Sequence, residues 1–286
     1  MTSQPSQPLR IALLQLNVSD QPDQSLLSTL TYIREAAQQG AKFIATPECT
    51  NFMAVNTEQL AAQVHYQDAD PTLVALRNEA YQLKIWLLVG SLCLKNDKGD
   101  SAVAINRQLL IDPKGTVVAT YDKLHMFDVD VGDGQTYRES QQFAAGNDLV
   151  ISAVDTMAVG HSICYDVRFP YLYAELSKRG AEVLMIPAAF TYVTGQAHWD
   201  VLLRARAIET GSWVLAPAQC GVHSGGRRTW GHSSVISPWG QIVAQADGET
   251  PQIIVSDIMP SQSRKARDSI PTLRHYRTQM ILDAGT

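Results

Sequence analysis

Apolar residues fall either in short unbroken runs or in spaced sets, and the two kinds alternate along the chain. "RIALLQLNV" (Arg10 to Val18) is a compact apolar run and reads as a buried strand. Leu26 to Gln39 shows helical spacing instead and ends before Gly40, a residue suited to closing a helix. "KFIATPE" predicts a second strand ending at Pro47-Glu48; a helix around Thr72 to Leu83 follows, and then "IWLLVGSLCL" as a strand. "AVAINRQLLID" and "TVVATYDK" flank Asp112-Pro113-Lys114-Gly115, a turn signal, so these two runs should pair as a hairpin.

After a loop over roughly Leu124 to Asp148 the alternation resumes. "LVISAVD" and "TMAVGHSIC" predict strands, Phe169 to Arg179 a helix closed by Gly180, and "AEVLMIP" a strand. Ala197 to Glu209 reads as a helix, "SWVLAPAQC" as a strand, and "HSSVISPWGQIVAQA" as a hairpin turning at Pro238-Trp239-Gly240. "QIIVSDI" is the last strand before a basic tail beyond about residue 260. No linker or composition break divides 1–286, which predicts a single domain. Strands joined by hairpins in some places and helices in others predict mixed sheets with helices outside, a layered α/β architecture.

The chain's 286 residues suffice for a full core, and its net charge of -5 with mixed acidic and basic residues argues against nucleic acid as partner. "MTSQPSQPLR" lacks the apolar region of a signal peptide, and no run approaches the roughly 18 apolar residues of a membrane span. A cytoplasmic protein without membrane association is therefore expected. Cys49, Cys93, Cys164 and Cys220 are far apart with no C-x-x-C pair, so neither a zinc site nor a disulfide framework is expected. Cys49, Cys93 and Cys220 read as small buried hydrophobes. The tail's Arg264, Lys265, Arg267, Arg274 and Arg277 read as a solvated or dimer-contact surface.

Candidate chemistry sits at strand ends: Glu48 after "IATP", Lys123 after "VATYD" and Cys164 after "GHSI". Each alone is an ordinary residue; an acid, a cation and a thiol together are complete for acyl transfer. A thiol needs a base or a positive neighbour to act as nucleophile near neutral pH. The tetrahedral intermediate needs fixed positive charge at its oxyanion, which an ammonium and a helix-start N–H can supply. "VGHSICYDVRFP" also offers Ser162, two residues before Cys164 and on the same face by strand alternation. Its pentapeptide, however, ends in cysteine where a G-x-S-x-G elbow needs glycine. Only Cys164 falls at the strand-to-helix bend.

"ATPECTNF", "YDKLHMFD" and "SICYDVRFP", with "GQAHWDVLLRARAIE" and "GHSSVISPWG", resemble the nitrilase, or carbon–nitrogen hydrolase, superfamily over essentially the whole chain. The resemblance implies a four-layer α-β-β-α sandwich, a homodimer, and a Glu48-Lys123-Cys164 triad joined by Glu139 of "TYRESQQFAAG". It further implies that Cys164 attacks a primary amide while Lys123 and the Tyr165 backbone N–H hold the oxyanion. Glu48 would move the protons and Glu139 would position the lysine, with no metal or organic cofactor. "KLHMFDVDV", "YRES" and "CYDVRFPYLYAEL" most resemble the Nit branch, which hydrolyses the terminal amide of α-keto acids. "GGRRTWGHS" resembles its deaminated-glutathione amidases more than the 2-oxoglutaramate type. Arg227 and Arg228 could fork a substrate carboxylate or merely solvate a loop; Arg168 and Thr191 are further pocket candidates. The alternatives are an ω-amidase, another small-amide or carbamoyl hydrolase, and a catalytically silent binding protein of the same fold.

Overall fold

The computed structural model describes residues 8–97, 99, 102–132, 136–275 and 277, so the ends of the expected single domain, 1–7 and 278–286, lie outside the described residues. The first half forms β1 (Leu9–Gln15), α1 (Pro22–Gln38), β2 (Phe43–Ala45), α2 (Thr57–Gln63), α3 (Pro71–Leu83), β3 (Trp86–Lys95), β4 (Ala104–Ile111) and β5 (Val117–Asp122). Helix α1 begins four residues ahead of the expected Leu26, because Pro22 in its first turn already has a helical φ and needs no N–H partner. The expected loop 124–148 holds a small hairpin, β6 (Asp128–Asp130) with β7 (Thr136–Arg138), and the short β8 (Phe143–Ala144).

The second half runs through β9 (Ile151–Val154), β10 (Met157–His161), α4 (Pro170–Lys178), β11 (Val183–Met185), α5 (Tyr192–Thr210) and β12 (Trp213–Ala216). It continues with β13 (Cys220–Val222), β14 (Arg228–Trp230), β15 (Ser234–Ile236), β16 (Ile242–Gln245), β17 (Gln252–Ile258), α6 (Ser261–Ser269) and α7 (Thr272–His275). "SWVLAPAQC" is two strands rather than one. It breaks at Pro217, after which β13 pairs with β14 away from the sheet that holds β12.

Two mixed sheets result. The first runs β17-β1-β2-β3-β4-β5, with β8 against β4, and the second runs β16-β15-β12-β11-β10-β9. Each has three parallel strands at its centre, β1-β2-β3 and β10-β11-β12, with antiparallel neighbours outside them. Strand alternation then decides the layers. Ile11, Leu13, Leu88, Val183, Met185, Trp213 and Leu215 pack together between the sheets. Ala12, Leu14, Leu87 and Val89 point the other way, into a core with residues of α1 and α3. Leu184, Val214 and Ala216 likewise face α4 and α5. The architecture is the expected four-layer α-β-β-α sandwich.

Strand β17 leaves the second half and pairs with β1 along its whole length, Leu9 opposite Ile258 through Gln15 opposite Gln252. The following basic segment is not simply solvated: Arg267 donates to the Thr210 carbonyl at 2.8 Å and Ser212 Oγ at 2.7 Å, and Arg264 pairs with Glu182 at 2.7 Å. These contacts dock α6 on the second half. Among the described residues, no helix is long and apolar enough to cross a membrane.

Candidate active site

The carboxyl ends of central strands from both sheets meet at one place. Glu48 lies three residues past β2, Cys164 three past β10, and Pro187 to Ala189 just past β11. Gly90 in β3 permits this approach. A Cβ there would lie 2.1 Å from the Thr46 carbonyl oxygen, 2.5 Å from that of Pro47 and 2.6 Å from Pro187 Cβ. No larger residue fits without parting the strand ends that carry Glu48 and Cys164.

Lys123, directly after β5, is the hub. Its Nζ donates to Glu48 Oε1 at 2.9 Å and to Glu139 Oε1 and Oε2 at 2.8 and 2.9 Å. Glu48 also accepts from Asn106 Nδ2 at 2.9 Å and from the Ala189 backbone N–H at 2.8 Å. Glu139 is fixed by the Phe127 N–H at 2.7 Å. Burial by itself would raise the Glu48 carboxyl, but the Lys123 ammonium outweighs it and holds the group below the usual carboxylate range. Burial would likewise lower Lys123, yet Glu139 and then Glu48 overcome it and raise the ammonium well above its ordinary value. The cluster is thus one buried cation shared by the buried Glu48 and the partly buried Glu139.

Cys164 lies buried beside this cluster, lining one cavity with it and within electrostatic reach of Glu48 and Lys123. Burial and the Glu48 charge push the thiol well up against the opposing pull of Lys123, so Cys164 rests as a thiol and not a thiolate. The backbone bends sharply here. Cys164 has φ of 48°, a left-handed conformation rare for a side chain of this kind, and opens a one-turn 3-10 helix, Cys164–Arg168. Its N–H is tied to the Pro187 carbonyl at 2.9 Å. Asp166 locks the bend to the lysine segment: Oδ2 accepts from Ile163 N at 2.8 Å and Tyr121 Oη at 2.7 Å, and Oδ1 accepts from His125 N at 3.1 Å.

Ser162 does not share the Cys164 face. The strand ends at His161, alternation lapses, and Ser162 is fully buried, donating to the Met185 carbonyl at 2.7 Å and accepting from Tyr173 Oη at 2.8 Å. The cavity over Cys164 has a volume of about 440 Å³. Glu48, Lys123, Glu139, Tyr165, Thr191 and Arg227 line it; Arg168 and Arg228 do not. Arg228 instead stacks on Tyr192 at 3.7 Å and pairs with Glu249 at 3.3 Å on the surface. Arg168 lies over the Phe190 ring at 5.2 Å. Arg227 donates from Nη2 to the Ala189 carbonyl at 2.9 Å, and its buried Nε has no partner. Cys93 and Cys220 are buried as expected and Cys49 is partly buried; Cys49 and Cys93 also line the cavity, with sulfurs 3.7 Å apart.

Asn106 and Asp166 are the residues that reading the sequence misses. Asn106 is one of several polar residues in "AVAINRQLLID", and its partner Glu48 is 58 positions away, so nothing local marks it. Among the described residues, no group of three or more histidine, cysteine or acidic side chains is placed to hold a metal ion.

The sequence pattern of the family described as carbon-nitrogen hydrolase matches residues 10–268. A Synechocystis protein named deaminated glutathione amidase is 40% identical over 270 residues, covering 94% of this chain and 98% of that protein. The Homo sapiens protein of the same name is 36% identical over 282 residues, covering 96% of this chain and 84% of its own. The crystal structure of the Caenorhabditis elegans NitFhit protein superposes with a TM-score of 0.87 at 34% identity, covering 96% of this chain and 66% of that one. Saccharomyces cerevisiae Nit3 superposes at 0.83 with 28% identity, covering 95% and 97%. A buried acid–lysine–thiol cluster at the strand ends of a four-layer sandwich, on a chain matched almost end to end, has one reading: this protein belongs to the carbon-nitrogen hydrolase family.

Proposed function

We propose that this chain is an amidase that hydrolyses the amide joining the α-keto acid to cysteinylglycine in deaminated glutathione, releasing that dipeptide as the leaving amine through a thioester on Cys164. The observation that carries the reading is the Glu48–Lys123–Glu139 cluster lining one cavity together with the Cys164 thiol. Because Cys164 rests as a thiol, Glu48 takes its proton as Sγ attacks the amide carbon. The developing oxyanion is met by the Lys123 ammonium and the Tyr165 N–H. Glu139 holds the lysine in place and leaves Glu48 basic by sharing its charge. Glu48 then passes the proton to the leaving nitrogen and activates the water that opens the thioester.

The choice of substrate is supported by the names of the relatives and by Arg227, whose buried Nε lacks an acceptor. A substrate carboxylate supplies one, and such a charge-assisted contact contributes about 1.5–3 kcal/mol. The reading places the enzyme, as one domain, in the cytoplasm, which suits four free cysteines. It also makes it a homodimer, which suits the exposed Tyr171, Val193, Val201 and Ile208 on α4 and α5.

The test is release of the leaving amine (cysteinylglycine from deaminated glutathione; ammonia from 2-oxoglutaramate, a carbamoyl amino acid and a nitrile), each with wild type and Arg227→Ala. Wild type should prefer deaminated glutathione and leave the nitrile untouched, and the variant should lose about 10- to 150-fold in kcat/KM on it. A wild-type preference for 2-oxoglutaramate would make the protein an ω-amidase. No turnover of any compound would make it a silent binding protein.

A further inference from the structure

The Asn106 side chain is 1% exposed, lines the cavity and makes one hydrogen bond, from Nδ2 to Glu48 Oε1 at 2.9 Å. That bond fixes its orientation, because an ionised carboxylate only accepts and must face the NH2 end of the amide. The other end, Oδ1, is buried without a partner. An orphaned carbonyl acceptor in an active-site wall costs about 1–3 kcal/mol unless something donates to it. In this cavity the natural donor is the substrate.

We propose that Asn106 Oδ1 accepts a hydrogen bond from an N–H of the scissile amide and holds the departing nitrogen beside Glu48. The inference rests on the amidase reading above and adds a catalytic residue to it. Oδ1 and Nδ2 belong to one planar group, so a nitrogen bound to Oδ1 sits next to the carboxyl that Nδ2 already holds. Collapse of the tetrahedral intermediate then balances as follows. The oxyanion's electron pair re-forms the carbonyl, the C–N bonding pair leaves on nitrogen, and the Glu48 carboxylic acid supplies the proton that completes the leaving amine. One N–H stays on Oδ1 throughout, which turns the nitrogen lone pair toward Glu48 as it forms. Selectivity follows from the same contact. A carboxamide has N–H donors for Oδ1, whereas a nitrile and an ester have none at that position.

The rest of the wall supports this assignment. The backbone carbonyl of Asn106 accepts from the Lys123 N–H at 3.0 Å, so β4 positions the side chain and the lysine from one residue. Arg227 Nε, the other unpartnered polar atom in the wall, is a donor and suits the anionic end of a substrate. The two orphans are therefore complementary to two different groups of one molecule, an amide N–H and a carboxylate.

The experiment compares Asn106→Ser and Asn106→Leu with wild type on a matched pair, the ω-amide and the ω-methyl ester of the same α-keto acid. Ester and amide use the same nucleophile, oxyanion donors and base, but only the amide needs Oδ1. We expect kcat/KM on the amide to fall about ten- to a hundred-fold more than on the ester, mostly in kcat. Circular dichroism on each variant checks the fold. Equal losses on amide and ester in a folded variant would overturn the role of Asn106 while leaving the amidase reading intact. Wild type that turns over the ester but not the amide would overturn both.

Discussion

The sulfur of Cys164 is held as a thiol by its burial and by the carboxylate beside it, and this has a kinetic signature. If ionisation of the free thiol limited the reaction, kcat/KM would climb steadily toward alkaline pH. With Glu48 as base the rate follows a carboxyl held below its ordinary 4.5, so it is already at its plateau at neutral pH. On the alkaline side, Lys123 is raised above 10.5, so the plateau should persist to about pH 9 without a second break. A pH–rate profile on the amide checks both limbs. A tenfold rise per unit between about pH 7 and 9 would show a thiolate mechanism instead. Three of these residues, Glu48, Lys123 and Cys164, are legible in the sequence because each follows an apolar run. Asn106 is not, since its work depends on a contact with another strand.

At the scale of elements, the proposed catalysis depends on how closely strand ends from two different sheets approach. Gly90 sits where β3 passes under the Thr46–Pro47 backbone and Pro187. Gly90→Ala must displace backbone, and overpacking of this kind costs about 1–3 kcal/mol. The larger effect should fall on chemistry, because a shift of about 1 Å between Glu48 and Cys164 can cost around 10²-fold in rate. Thermal melts and kcat/KM on the same variant separate the two; a stable, fully active alanine variant would remove Gly90 from this account. The nature of most elements is readable from periodicity. What is hidden is where runs break and which sheet they join. Pro217 splits one apolar run into β12 and β13, and α2 escapes notice because it buries only Leu60 and rests on the cap from Asn56 to Gln59. The pairing of β17 with β1 links residues more than 200 positions apart, which no local pattern encodes.

The whole molecule should lose stability in acid before Glu48 is protonated. His161 and His223 are buried, and burial lowers both from 6.5 to about 4. Above pH 6.5 neither folded nor unfolded state binds the proton and they impose no penalty; as pH falls to about 4 the unfolded state gains protons that the folded state refuses. Each contributes on the order of 3 kcal/mol of lost stability over that window. Denaturant midpoints should therefore fall between pH 6.5 and 4, and a His161→Gln variant should show a shallower decline; a midpoint flat across this range would contradict the assignment. Everything proposed for function, however, hangs on one bond, the thioester between substrate and Cys164. The most direct measurement is mass spectrometry of the intact and digested enzyme after acid quench during turnover of a slow amide. The account predicts one acyl adduct, on the peptide carrying Cys164 and absent from Cys164→Ala. An adduct on Ser162, or full turnover by Cys164→Ala, would contradict it.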